Sequence, residues 1–270
     1  MEAYLSLEQI QRREFSILCR AADFFERYGI PYSLCYGSLI GAVRHGGFIP
    51  WDDDIDLFVP RASYDRLIGM VETFEAETGL ILEGVRGLGL ADSPIIKACD
   101  PEVRTLERGV VEPGHLWVDL FPLDGVPDDD GAARRLCSKA KRLNLIFTAK
   151  TSPVSSAVGF KRKFVKALFK VLFFYRTPLS LAREINENAR TYAIDGTPFA
   201  VNLTFSYNSY QGRFKFGAEG PMVKMSFEGR EFPVIADWDT ALRGGYGDYM
   251  IIPPVEKRIT HSLVAWVPSC

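Results

Sequence analysis

The chain has 270 residues, enough to bury a complete hydrophobic core in one elaborated domain or in two smaller ones. Hydrophobic residues make up 47% and charged residues 24%, the composition of an ordinary globular protein. The formal net charge of −2 excludes a global attraction to nucleic acid, and no nucleic-acid reader motif is recognised. No apolar run reaches the ~18–20 residues needed to span a bilayer.

The amino terminus and the cysteines both indicate a cytoplasmic protein. The first residues lack the basic-then-apolar pattern of a signal peptide. The five cysteines are odd in number and include no C-x-x-C pair, which favours reduced thiols over a disulfide framework or a zinc site.

The chain begins with a predicted helix, strand and second helix. Apolar residues at helical spacing predict the first helix from Ser6 to Tyr28, ended by Gly29. Tyr32–Tyr36 is predicted to be a short buried strand, broken by Gly37-Ser38. Residues 38–44 are predicted to start the second helix.

Helices and strands then follow in mixed order. The next predicted elements are a strand at Ile55–Val59 and a helix at Ala62–Glu77. Four further short strands are predicted at Leu80–Val85, Pro94–Ala98, Val103–Glu107 and Leu116–Phe121. This order predicts an α+β fold with a small mixed sheet flanked by helices.

A basic segment divides the chain. Residues 131–183 contain thirteen Lys or Arg and no Asp or Glu. We therefore predict three parts: a catalytic core at 1–130, a basic helical insertion at 131–196, and a C-terminal part at 197–270 that completes the active site. In the last part, loops are expected to outweigh helices.

Within this insertion, residues 159–176 mix Lys and Arg with Phe, Leu and Val. Such a basic amphipathic helix can lie on an anionic membrane surface, here the inner face of the cell membrane. Two alternatives stay open: the apolar side packs on the core, or the basic side forms a wall for an anionic acceptor.

Three carboxylates are placed where ionised groups need a partner. Asp54 and Asp56 are two apart in a predicted strand, so both are expected on one face. Asp119 lies in an apolar run, where a carboxylate is costly unless a cation or several donors satisfy it. Oxygen ligands of this kind suit Mg²⁺ or Mn²⁺. The alternatives are an acidic turn at Asp54–Asp56 and an Asp119 bonded to backbone amides; Asp124 is predicted to be a turn residue.

The turn at Gly37-Ser38 is a candidate phosphate site. A glycine between a strand and a helix lets backbone approach a ligand, and amides at a helix start favour a phosphate. Followed by a strand that carries Asp-x-Asp, this weak signal becomes a strong one.

Three segments resemble the LicD family of phosphocholine transferases, to which the fukutin-related proteins are also similar. They are YGSLIGAVRHGGFIPWDDDIDLFV (Tyr36–Val59), WVDLFPLDGVPDD (Trp117–Asp129) and YGDYMIIPPVEKRITH (Tyr246–His261). The resemblance implies a nucleotidyltransferase-like core. It also implies that Gly37 and Ser38 hold phosphate, while Asp54, Asp56 and Asp119 hold the metal and carry catalysis.

Family membership further implies transfer of phosphocholine from CDP-choline to a sugar hydroxyl of a lipid-linked glycan, such as a teichoic acid or lipopolysaccharide precursor, with release of CMP. Cations would neutralise the charge on the leaving group. The candidates are Arg44, His45, Lys97, Lys257, Arg258 and His261. Other readings are transfer of another CDP-linked group (ribitol phosphate or glycerol phosphate), a nucleotidyltransferase that releases pyrophosphate, and a non-catalytic glycan-lipid binding module.

Overall fold

A computed structural model describes residues 3–86, 89–90, 93–106, 112–153, 160–205, 210–216, 222–258 and 263–268. The helices in these residues are α1 (Leu7–Arg27), α2 (Tyr36–His45), α3 (Arg61–Ile68), α4 (Val71–Thr78), α5 (Asp130–Thr151), α6 (Phe160–Leu172), α7 (Pro178–Ala189) and α8 (Trp238–Tyr246). The strands are β1 (Ala3–Tyr4), β2 (Ser33–Leu34), β3 (Asp56–Pro60), β4 (Ile81–Glu83), β5 (Val85–Arg86), β6 (Gly89–Leu90), β7 (Ile96–Leu106), β8 (Gly114–Val126), β9 (Phe199–Val201), β10 (Phe214–Lys215), β11 (Met222–Phe227), β12 (Arg230–Ile235) and β13 (Val264–Val267).

Eleven of the strands form one mixed sheet in the order β1-β13-β7-β8-β3-β2-β12-β11, with β4 added beside β7, β9 beside β8, and β10 beside β9. The pairs β3–β8 and β2–β12 are parallel, and the other pairs in this sheet are antiparallel. The strands β5 and β6 pair with each other in a separate two-stranded sheet. The predicted α+β class with a mixed sheet and flanking helices is confirmed.

The two faces of the central strands carry different cores. Alternate residues such as Leu57 and Leu120 join the main core, against which α1 and α3 pack. Their neighbours Phe58 and Phe121 point to the opposite face and join a smaller apolar cluster. Because strand side chains alternate, Asp56 and Asp119 lie on the same face as Phe58 and Phe121.

Helix α1 begins where the sequence predicts. Ser6 caps it, since the Ser6 side chain accepts from the backbone of Gln9 while the Gln9 side chain accepts from the backbone of Ser6. The helix ends before Gly29, whose φ of 58° lies in the left-handed region that glycine adopts without strain.

Several predicted boundaries differ from the structure. Tyr36 is already the first residue of α2, so Gly37-Ser38 lies in the first helical turn rather than before it. The helix predicted over Ala62–Glu77 divides into α3 and α4 at Gly69-Met70. The strands predicted at Pro94–Ala98 and Val103–Glu107 are one strand, β7, because a register shift between Asp100 and Arg104 absorbs the polar residues between them.

Two carboxylates lie in elements other than those predicted. Asp54 precedes β3, which starts at Asp56, so strict strand alternation does not orient it. Asp124 is not a turn residue: it lies inside β8, fully buried, with its carboxylate 2.7 Å from Arg61 Nε. The sequence rule for Asp before Gly fails here because a buried cation satisfies the carboxylate.

The C-terminal part contains more strand than predicted. β11 and β12 form a hairpin whose two-residue turn is Glu228-Gly229, with φ of 50° and 79°. Positive φ at both turn positions matches the twist of a hairpin. The basic segment, which was predicted to be helical, contains α5, α6 and α7.

Two further predictions concern cysteines and membrane spans. Cys19, Cys35, Cys99 and Cys137 carry free thiols, and Cys270 lies outside the described residues. Within the described ranges, the helices are all too short or too polar to cross a bilayer.

Candidate active site

A row of charged side chains crosses three neighbouring strands. Lys97 on β7 is the register partner of Asp119 on β8, and Asp119 is the register partner of Asp56 on β3. Residues directly opposite in adjacent strands point to the same side of the sheet. The structure therefore brings Lys97, Asp119 and Asp56 together on one face.

Asp119 is held from two sides. Its Oδ1 lies 3.5 Å from Lys97 Nζ, and its Oδ2 accepts a hydrogen bond from Trp117 Nε1 at 2.8 Å. Lys97 Nζ also lies 3.7 Å from the centre of the Trp117 ring, in a cation–π contact. Asp119 Oδ1 is buried and makes no hydrogen bond, so the ion pair is its main compensation.

Asp56 is buried beside other negative charges. Burial raises the pKa of its carboxyl well above the ordinary value, and the charges of Asp54 and Asp119 raise this pKa further. Lys97 acts in the opposite direction and lowers it. The negative charges of Asp54 and Asp119 therefore act on Asp56, as expected of carboxylates close enough to share a cation.

The first turn of α2 lies against the start of β3. The backbone N–H of Asp56 donates to Ser38 Oγ at 2.8 Å, and Ser38 is buried. A Cβ built on Gly37 would lie 2.8 Å from Asp52 Oδ2, so glycine here admits the Asp52 carboxylate. In the structure, Ser38 and Gly37 thus position the aspartate segment; their predicted contact with phosphate stays a prediction.

A buried glutamate of α1 was missed by sequence reasoning. Glu14 is 1% exposed, its Oε2 has no hydrogen-bond partner, and burial raises the pKa of its carboxyl. The charges of Asp54 and Asp53 raise this pKa further. The available signal was its place between Ile10 and Leu18, four residues away on either side, on the buried face of the helix.

Two of the predicted cations, Arg44 and Arg258, lie near Trp51, just before the aspartates. The guanidinium of Arg258 lies 4.1 Å from the centre of the Trp51 ring, and that of Arg44 lies 5.9 Å away. Arg44 Nε donates to His45 Nε2 at 2.9 Å, and Arg44 Nη1 donates to the Tyr249 carbonyl at 2.8 Å. The structure therefore joins Arg44 and Arg258, which are far apart in sequence.

His45 is a poor cation in this arrangement. Burial lowers the pKa of its imidazole, and the positive charge of Arg44 lowers it further. Lys257 lies in an exposed 3-10 turn, Val255–Lys257. His261 lies outside the described residues.

The aspartates fit a hard divalent cation by their chemistry rather than as a preformed cage. Within the described residues, no three or more His, Cys, Asp or Glu side chains are arranged as a metal cluster. Mg²⁺ is usually held by one or two carboxylates, with water and substrate phosphate completing its shell. The buried Oδ1 of Asp119 and the crowding of Asp56 by Asp54 and Asp119 are consistent with such a partial shell.

Two classes of known protein are similar to this chain. It is 29% identical to the lipopolysaccharide cholinephosphotransferase LicD of Haemophilus influenzae over 273 residues, which cover 95% of this chain and 98% of that protein. It is 37% identical to the human ribitol 5-phosphate transferase FKRP over 98 residues, which cover 36% of this chain and 17% of that protein. The mouse FKRP gives the same identity and coverage.

The family described as LicD/FKTN/FKRP, nucleotidyltransferase domain, matches residues 29–173. This range is more than half of the chain and contains Asp54, Asp56, Lys97 and Asp119. The resemblance drawn from the three sequence segments is confirmed, and the chain belongs to the LicD/FKTN/FKRP family of nucleotidyltransferase-domain proteins.

Proposed function

We propose that this protein is a metal-dependent phosphotransferase that moves phosphocholine from CDP-choline to a sugar hydroxyl of a glycan, releasing CMP. The observation that carries the proposal is the row Lys97–Asp119–Asp56 on one face of the sheet. The similarity to a lipopolysaccharide cholinephosphotransferase over nearly the whole chain supports the choice of group and acceptor.

In this proposal Asp54, Asp56 and Asp119 would hold Mg²⁺ or Mn²⁺. That ion would supply charge neutralisation for the diphosphate of the donor. The acceptor hydroxyl oxygen forms a bond to the phosphorus that bears choline, the bond from that phosphorus to the CMP oxygen breaks, and CMP leaves with the electron pair. The Asp119 carboxylate, whose Oδ1 lies 3.5 Å from Lys97 Nζ, accepts the hydroxyl proton.

The cations near Trp51 are assigned to the leaving nucleotide. The guanidinium groups of Arg44 and Arg258 both lie near the Trp51 ring, and Trp51 directly precedes the aspartates in the sequence. Lys257 and His261 belong to the same C-terminal segment and are assigned the same role, with Gly37 and Ser38 on the phosphate side. His45, which accepts from Arg44, orients that guanidinium.

A second candidate is transfer of ribitol phosphate from a CDP-linked donor. It is favoured by the 37% identity to a ribitol 5-phosphate transferase over 98 residues. The same carboxylates would serve both reactions, because the reacting diphosphate is the same and only the transferred group differs. In both cases the proposed acceptor is a lipid-linked glycan.

The test is incubation with CDP-choline and a glycan acceptor, with and without Mg²⁺, followed by measurement of CMP. Asp56→Asn and Asp119→Asn are expected to lower CMP release at least about a hundredfold, since each removes a preorganised charge at the reacting phosphate. Asp195→Asn changes an exposed aspartate in a turn and is the matched control.

Other outcomes would replace the proposal. CMP release from CDP-ribitol or CDP-glycerol but not from CDP-choline would assign a different transferred group. Release of pyrophosphate instead of CMP would indicate a nucleotidyltransferase. No metal uptake and no turnover of any donor would favour a non-catalytic binding module.

A further inference from the structure

Helix α6 presents large apolar side chains to solvent. Phe164 is 61% exposed, Leu168 is 42% exposed and Val171 is 68% exposed. These positions are three or four residues apart, so they form one stripe along the helix. Val165 and Leu172 widen this stripe, and Phe174 and Tyr175 extend it beyond the helix end.

The opposite side of α6 is the one that packs on the protein. Phe169 and Phe173 are partly buried with ring centroids 5.6 Å apart, and α6 lies against α5. Lys166 and Lys170 lie on this same side. The interpretation that the apolar stripe packs on the core is therefore wrong, because the stripe faces outward.

The charge of the surrounding segment restricts what could cover the stripe. Residues 131–183 carry thirteen basic residues and no acidic one. A second copy of this chain would bring the same positive charge to the same place, with no carboxylate in either segment to pair with it. An anionic partner avoids this repulsion.

We propose that α6 lies in the plane of an anionic lipid surface, with the stripe Phe164, Leu168 and Val171 inserted among the acyl chains. The exposed basic side chains of the segment, such as Lys163, contact lipid phosphates, as in other amphipathic helices at membrane interfaces. The exposed Tyr175 occupies the headgroup region, where amphipathic rings are enriched, and the exposed Phe174 beside it adds apolar surface. This proposal concerns location and is independent of the donor that the protein uses.

The test is flotation of the full chain with vesicles of phosphatidylcholine alone or mixed with phosphatidylglycerol, at physiological salt. We expect binding to the anionic vesicles and little binding to the neutral ones. The variant F164S/L168S/V171S is expected to bind anionic vesicles about tenfold more weakly, because it removes the inserted side chains. The charge variant Lys163→Glu, at an exposed position, should weaken binding to anionic vesicles in particular.

The matched control is L7S/L106S/V223S, which changes three exposed apolar residues elsewhere in the chain. It should bind anionic vesicles like the unchanged protein, and circular dichroism should show all variants folded. Absence of binding to anionic vesicles overturns the proposal, as does equal loss in the control. A mass by light scattering that falls to the monomer only in F164S/L168S/V171S, without vesicle binding, would identify the stripe as a contact between copies.

Discussion

Lys97 controls the charge of the row that contains Asp119 and Asp56. It lies 3.5 Å from Asp119 Oδ1 and stacks on the Trp117 ring, so its ammonium is held in place by two contacts. Its positive charge lowers the pKa of Asp56, which burial and Asp54 raise. The residue was predicted from sequence because a lysine within an apolar run needs a partner; the partner itself follows only from strand register.

We expect Lys97→Met to move the acid limb of the pH dependence of kcat/KM to higher pH. Removing the cation raises the pKa of Asp56, so the carboxyl becomes ionised only at a higher pH. The measurement is CMP release across pH, with Lys215→Met, at an exposed position, as the control. An acid limb that stays in place or moves to lower pH would show that Lys97 does not tune the carboxyl of Asp56.

Replacing Ser38 tests whether its hydroxyl has a structural role or binds phosphate. Its hydroxyl oxygen accepts from the buried N–H of Asp56, so Ser38→Ala leaves that donor unsatisfied. We expect a loss of about 1–3 kcal/mol in the free energy of unfolding and a fall in kcat. Chemical denaturation and steady-state kinetics measure these two quantities. Unchanged stability with a raised KM for the donor would instead assign Ser38 to phosphate binding.

One buried ion pair joins the central strand β8 to two helices. Arg61, the first residue of α3, donates to Asp124 of β8 at 2.7 Å and to Asn186 Oδ1 of α7 at 2.8 Å. Asp124 also accepts from the backbone N–H of Leu203 at 3.1 Å. The pair therefore connects the strand that carries Asp119 to the basic helical segment.

We expect Asp124→Leu to lower the free energy of unfolding by about 3–5 kcal/mol, because it removes the close buried partner of Arg61 and leaves only the longer ion pair with Asp65, at 3.9 Å. The double variant Arg61→Met/Asp124→Leu should lose less than Asp124→Leu alone, since no isolated charge then remains. Urea denaturation of the two single variants and the double variant gives the coupling directly. Additive losses would mean that the two side chains do not stabilise the fold as a pair.

Element boundaries were predicted well where local signals act alone and poorly where tertiary contacts decide. Ser6 and Gly29 mark the ends of α1 through capping and backbone conformation, both of which are local. Asp124 was misassigned because its partner, Arg61, lies 63 residues away. The β11–β12 hairpin was missed because its turn is Glu228-Gly229, and a glutamate at positive φ is unusual.

The site exists because β3 and β8 pair in parallel. Parallel strands are joined through other elements, so Asp56 and Asp119 become neighbours only when the sheet order is complete. The sequence could identify these carboxylates by their apolar surroundings and by family resemblance. It could not place Glu14 of α1 near them, because a buried glutamate on a helix resembles any polar residue at the edge of an apolar face.

If the crowded aspartates hold a divalent cation as proposed, we expect the stability of the fold to depend on that metal and on pH. The pKa of Asp56 is raised in the folded protein. The contribution of the protonated Asp56 carboxyl to the free energy of unfolding is therefore fully present below the pKa of Asp56 in the unfolded chain, and it is lost as pH rises through the folded pKa. A divalent cation offsets this repulsion, so Mg²⁺ should raise the Tm more at about pH 8 than at about pH 5. At a concentration a hundred times its dissociation constant, a bound ion adds about 2.7 kcal/mol to the free energy of unfolding.

Thermal unfolding with Mg²⁺ or with a chelator measures the effect of the ion on the Tm. Asp56→Asn and Asp119→Asn should reduce this effect, and Asp195→Asn should retain it. A Tm that Mg²⁺ leaves unchanged at both pH values would remove the metal from these carboxylates in the free protein, so that any ion would have to arrive with the donor diphosphate.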